Sequence, residues 1–140
     1  MNKAPNKIKA FIERASDGSY SVYIDLDDDT LNYDINGEGD TVAEALEDFR
    51  ITYRDMKALH EQQGKPFVEA EFEFLYDLPS FLQYYSKLFT YAGLERLTGV
   101  NQTQLSQYVQ GYRKPSKQTS LKIQNKIHHL SQELQSVQFV

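Results

Sequence analysis

The sequence predicts an α+β fold, with a βββαβ module over residues 1–77 followed by an all-helical module over residues 78–140. The first observation behind it is a change of hydrophobic period. Apolar residues mostly recur at every second position or on one long helical face before residue 78, and almost entirely at helical spacing after it. The second is a reversal of charge at the same place. Residues 1–78 carry 8 Lys and Arg against 18 Asp and Glu, net −10, whereas residues 79–140 carry 7 against 2, net +5, within an overall −5. The third is length, since 140 residues suit two small domains.

Along the chain, residues 8–14 partly alternate (Ile8, Ala10, Ile12), and Ser16-Asp17-Gly18-Ser19 punctuates them. Tyr20, Val22 and Ile24 then alternate with Ser21, Tyr23 and Asp25, which predicts a β-hairpin. A third strand is expected over residues 30–35 (Leu31, Tyr33, Ile35), bounded by Asp27-Asp28-Asp29 and by Asn36-Gly37. Thr41-x-x-Glu44 is a capping-box pattern, so a helix begins near Val42. Its face is Val42, Ala45, Leu46, Phe49, Tyr53 and Met56, and Gly64 with Pro66 ends it. Alternation resumes over residues 67–75 as a fourth strand. Pro79 suits a first helical turn, with Asp77 or Ser80 as its cap, and Gly99, Gly111 and Pro115 divide the rest of the chain into helices.

Composition excludes several classes. No Cys is present, so disulfides and Cys-ligated metal are ruled out. No apolar run approaches the roughly 20 residues that span a bilayer, and residues 1–9 are polar where a secretory signal is apolar. A cytoplasmic protein without membrane partner is expected. The split charge implies two partners of opposite sign, phosphates for the basic module and a basic protein for the acidic one.

The most informative stretch is residues 94–111. Gly99 permits a positive φ between two short helices, Val100 plugs the turn, and Asn101 caps the second helix, which is the grammar of a helix-turn-helix. Leu94, Leu97, Val100, Leu105 and Tyr108 are then expected in a small core. Gln102, Thr103, Gln104, Ser106 and Gln107 are left on the open face of the second helix. Gln pairs through two hydrogen bonds with adenine N6 and N7, and Ser or Thr contacts bases or phosphates. Arg113, Lys114 and Lys117 come next in a turn, where they suit the DNA backbone.

Leu94 to Gly111, with Gly111-x-Arg113-x-Pro115-Ser116, resembles the Cro/repressor-like (XRE) helix-turn-helix family over about sixty residues. The resemblance implies base or phosphate contacts for Gln102, Thr103, Gln104, Ser106 and Gln107, and phosphate contacts for Arg113, Lys114 and Lys117. Glu95 departs from the family, which has a small residue there.

In the acidic module, Asp17-Gly18-x-Tyr20 in the hairpin and Gly39-Asp40-Thr41-x-x-Glu44-Ala45-Leu46 at the head of the long helix resemble the HicB antitoxin family. The likeness covers about the first seventy residues. It implies a partial RNase H-like domain that binds a small basic HicA-like ribonuclease, with carboxylates standing where RNA phosphates would lie. Asp25, Asp27, Asp28, Asp29 and Asp34 are candidates for that surface. The family's Pro-x-x-x-Gly segment after the second strand is replaced here by residues 25–29.

The combined expectation is a type II antitoxin that neutralises such a toxin and represses its own operon through operator double-stranded DNA. The alternative is a stand-alone repressor whose first module oligomerises or senses a signal. A nuclease is the competing class, but two-metal chemistry needs carboxylates converging from several elements, and these crowd one loop. His60, His128 and His129 form no catalytic arrangement, so neither enzyme activity, metal nor cofactor is expected. From Thr119 onward, Leu121, Ile123, Ile127, Leu130, Leu134 and Val137 recur mostly at helical spacing. Part of this face closes the helix-turn-helix core, and residues 130–140 either pack on a twin subunit in a homodimer or higher even oligomer or fold back on their own.

Overall fold

The computed structural model describes residues 5–140, so residues 1–4 of the first module and of the polar start lie outside the described residues. The protein is α+β, and its contacts divide it into two compact units, one ending at Asp77 and one spanning Leu78–Val140. The first holds β1 (Asn6–Arg14), β2 (Tyr20–Ile24), β3 (Asn36–Gly39), α1 (Val42–Gln62) and β4 (Ala70–Tyr76). The second holds α2 (Leu78–Tyr84), a 3-10 turn (Tyr85–Lys87), α3 (Tyr91–Thr98), α4 (Gln102–Gln110) and α5 (Lys117–Gln135).

The sheet order is β3-β2-β1-β4, with β1 antiparallel to β2 and parallel to β4. Ile8, Ala10, Ile12, Val22 and Ile24 turn to one face and are buried. They meet Val42, Ala45 and Phe49 of α1, also buried. Phe49 anchors this core, its ring edge-on to Phe72 and Phe74 at 4.9 and 5.6 Å. α1 starts where the capping box lies. Thr41 Oγ1 accepts from the Glu44 N–H at 3.1 Å, and Glu44 Oε2 accepts from the Asp40 N–H at 2.9 Å.

The third strand differs from the sequence expectation. Residues 30–35 are loop, and the strand is Asn36–Gly39, paired with β2 from Tyr23↔Asn36 to Tyr20↔Gly39. The alternation of Leu31, Tyr33 and Ile35 is real as burial, but side chains rather than a backbone ladder satisfy it. Tyr33 stacks on Phe67 at 4.6 Å and donates to the Val68 carbonyl at 2.7 Å. Asn32 Nδ2 donates to the Pro66 carbonyl. β4 likewise starts at Ala70, because residues 67–68 serve this aromatic cluster with Tyr53 and His60.

The sheet face away from α1 carries Phe11 and Tyr23, ring centroids 5.8 Å apart. Tyr23 Oη donates to Glu13 Oε2 at 2.6 Å. That bond, with partial burial and the charges of Glu13, Asp77 and Asp25, pushes the phenol pKa up to about 12. A raised pKa means that the contribution to stability is whole below pH 10 and is lost as the pH rises through 12. In an ultraviolet titration one tyrosine should therefore ionise near pH 12, and Glu13→Gln should return it toward 10. An unchanged titration in that variant would remove Glu13 as the cause.

Candidate nucleic-acid interface

The second unit is built on Leu82, Leu94, Val100, Leu105, Tyr108 and Ile123, with Leu78, Phe81, Phe89, Val109 and Ile127 packed around them. α3 begins at Thr90, whose Oγ1 accepts from the Gly93 N–H at 3.0 Å, and ends at Gly99 with φ 76°. A β-carbon is disfavoured in that left-handed region. The turn is completed by Val100, buried as a plug, and Asn101, whose Oδ1 accepts from the Thr103 N–H at 2.8 Å. α4 then runs to Gly111, again left-handed at φ 81°, where the Tyr112 N–H reaches back to the Gln107 carbonyl.

One residue of this turn was not among the expected core. Thr98 is buried, its hydroxyl donating to the Leu94 carbonyl at 2.7 Å and accepting from the Val100 N–H at 3.1 Å. Leu97 beside it is only half-buried. A polar residue inside a short helix gives no periodic signal, but here it locks the turn that sets the angle between α3 and α4.

With Leu105 and Tyr108 inward, helical spacing turns Gln102, Thr103, Ser106, Gln107 and Gln110 outward. Gln102, Thr103 and Gln110 are exposed, and Ser106 and Gln107 are half-buried. Gln104 sits at the margin of the core, half-buried, and its amide donates to the Tyr108 hydroxyl. It is thus a predicted contact already committed within the protein. Gln110, not singled out from sequence, lies on the same face as Thr103 and Gln107. Glu95 has a definite partner, since Gln102 Nε2 donates to Glu95 Oε2 at 3.3 Å. That leaves the Gln102 carbonyl and its second N–H for another partner.

Arg113, Lys114 and Lys117 are exposed, and none is held in an ion pair among the described residues. Tyr112 beside them is 80% exposed. Lys117 is the first residue of α5, after Ser116, whose Oγ accepts from the Thr119 N–H at 3.1 Å. A cation at a helix N-terminus opposes the helix dipole. Neither α4 nor α5 has an acidic residue in its first turn, whereas α1 has Glu44. Lys122 was also missed from sequence. A β-carbon added to Gly99 would stand 3.4 Å from its Nζ, so this ammonium lies against the α3–α4 turn.

The acidic candidates separate into two groups. Asp25 Oδ1 accepts from the Asp27 N–H and Asp28 Oδ1 from the Thr30 N–H, at 3.0 and 2.9 Å, so both carboxylates brace their own loop. The Thr30 bonds hold the Asp28 carboxyl below the usual carboxylate range. Asp27, Asp29 and Asp34 are exposed. Leu26, at 86% exposure, stands among them and was not predicted. Among the described residues, no group of three or more acidic or histidine side chains is placed to hold a metal ion. His60 is buried, its Nδ1 at 2.9 Å from the Met56 carbonyl and its ring against Tyr33 and Phe67. Among the described residues, no helix is long and apolar enough to cross a membrane.

Comparison with protein-family models, with curated proteins and with solved structures finds no match.

Proposed function

We propose that the second unit is a helix-turn-helix that binds operator DNA, with α4 as the element entering the major groove. The observation that carries this is a division of chemistry along the chain. The outward face of α4 offers only uncharged hydrogen-bonding side chains, and the next turn brings three exposed cations with no ion pair among the described residues. Uncharged amides and hydroxyls discriminate bases, whereas Arg and Lys hold phosphates. Lys117 strengthens the reading, because a cation that opposes its own helix dipole is better explained by an anion it meets in the complex.

The protein as a whole is then a HicB-type antitoxin and autorepressor, its first unit a partial RNase H-like domain that occupies a small basic HicA-like ribonuclease. Support for that half comes from the loop of residues 25–29. Asp27 and Asp29 are exposed in the same loop as exposed Leu26, which offers an apolar side chain next to anionic ones. Two operator half-sites call for two copies. Along α5, Ile123, Ile127, Leu130 and Leu134 form one helical stripe, of which Ile123 is buried and Leu134 is 59% exposed. The exposed end of that stripe suits a twin, placing two α4 helices in successive major grooves about 34 Å apart.

The test is fluorescence anisotropy of the full chain on its own upstream DNA and on a scrambled duplex, across a salt series. Upstream DNA should bind more tightly. Gln102→Ala should remove roughly 10- to 100-fold of that preference, the 1–3 kcal/mol of one bidentate base contact, while the salt slope persists. Equal and purely salt-dependent binding to both duplexes would sink base readout by α4.

A further inference from the structure

The second unit has only two acidic residues, and one of them, Glu133, faces His129 on α5 at 3.2 Å. The other, Glu95, stands half-buried on α3 next to buried Leu94, with its Oε2 3.3 Å from Nε2 of Gln102, the first residue of α4. A carboxylate beside a helix that enters a groove of DNA opposes the phosphates, a cost that a small uncharged residue would avoid. Its placement therefore calls for a compensating role.

An ionised carboxylate accepts hydrogen bonds and donates none, so only the amino end of the Gln102 amide can face it. The orientation of that amide is thereby fixed. Gln104 differs, because its amide meets the Tyr108 hydroxyl, a group that donates or accepts and so tolerates either orientation. Both partners of the Glu95 contact are also held from behind. Leu94 is packed in the core, and Asn101 caps α4 with its Oδ1 2.8 Å from the Thr103 nitrogen.

We infer that Glu95 is a positioning residue that makes Gln102 read adenine and reject guanine, an inference that rests on α4 entering the major groove. With one N–H given to Glu95, Gln102 presents one N–H and its carbonyl oxygen. Adenine offers the complement, an acceptor at N7 and a donor at N6. Guanine offers two acceptors, N7 and O6, and a glutamine free to turn can meet both through its two N–H groups. Held by Glu95, Gln102 gives guanine one N–H and sets its carbonyl against O6, so two acceptors face each other unpaired. Glu95 thus trades some attraction to phosphate for discrimination between the two purines.

The full chain is titrated by fluorescence anisotropy on its own upstream DNA and on duplexes in which each A·T pair is changed to G·C, and each G·C to A·T, one at a time. Gln102→Ala identifies the pair that Gln102 reads as the one whose preference it erases. That pair should be A·T, bound roughly 10- to 100-fold more tightly than its G·C replacement. Glu95→Gln keeps the length of the side chain but can donate as well as accept, which releases the orientation of Gln102. The preference at that pair should then fall by roughly 3- to 10-fold, about one hydrogen bond, while every other pair keeps its own. The lost charge raises affinity for all the duplexes alike and leaves their ratios unchanged. In the Gln102→Ala background Glu95→Gln should alter no ratio, a coupling that a purely structural role would not produce. An unchanged ratio at the Gln102 pair in Glu95→Gln, a loss spread equally over several pairs, or a native preference for G·C at that pair overturns the inference while base readout by α4 stands. If Gln102→Ala alters the preference at no pair, base readout by Gln102 itself fails and the inference falls with it.

Discussion

Gly37→Ala is expected to destabilise the first unit strongly while leaving the stability of the second unchanged. A β-carbon on Gly37 would stand 2.3 Å from the Ala45 carbonyl oxygen and 2.5 Å from the Phe49 nitrogen. Both are backbone atoms inside α1, so no side-chain rotation relieves the clash, and the helix itself must lift from β3. Lifting it loosens Ala45 and Phe49, which are fully buried against the sheet. Overpacking against a yielding neighbour costs about 1–3 kcal/mol, and an unyielding one places this substitution at about 3 kcal/mol or beyond. For a unit of this size that corresponds to a fall in melting temperature of roughly 12–24 °C. Amide signals of Val22 and Phe49 should disappear on warming well before those of Leu105 and Tyr108. A melting temperature within about 2 °C of the native protein would show that α1 is not seated on β3 as closely as described.

The same glycine shows where the sequence was opaque. Asn36-Gly37 has the composition of a turn, yet the two residues lie in a strand, because β3 needs glycine at positions 37 and 39 to let α1 approach. Only the distance to a helix that begins later in the chain reveals this, and no local window contains it. The shift of the third strand from residues 30–35 has a similar cause, since Tyr33 is claimed by Phe67 and Val68, more than thirty residues away. Elements specified by neighbouring residues were legible. Thr41 and Glu44 mark the start of α1, and Gly99, Asn101 and Gly111 mark the ends of α3 and α4. At the candidate interface the outward polar residues could be read from helical spacing. Sequence did not disclose which polar groups are already engaged: Gln104 by Tyr108, Gln102 by Glu95, and Asp25 and Asp28 by their own loop.

Replacing Arg113, Lys114 and Lys117 together by Gln should have the largest effect on DNA binding. Each phosphate contact contributes about 0.9 to the slope of log affinity against log salt, so losing three flattens that slope by roughly 2.7. Near 0.1 M salt this amounts to a loss of roughly two to three orders of magnitude in affinity, equal for upstream and scrambled DNA because phosphates carry no sequence. Gln102→Ala behaves in the opposite way, losing preference and keeping the slope. Lys117 separates a phosphate contact from a stabilising one. It stands in the first turn of α5 with no acidic residue beside it, so Lys117→Glu replaces an unfavourable dipole interaction with a favourable one, worth about 0.3–1 kcal/mol at each end of the change. The variant should therefore melt higher and bind DNA more weakly. Higher stability with undiminished affinity would remove Lys117 from the interface. Lower stability would mean that its ammonium serves the fold, and the case for a phosphate at the head of α5 would fall with it.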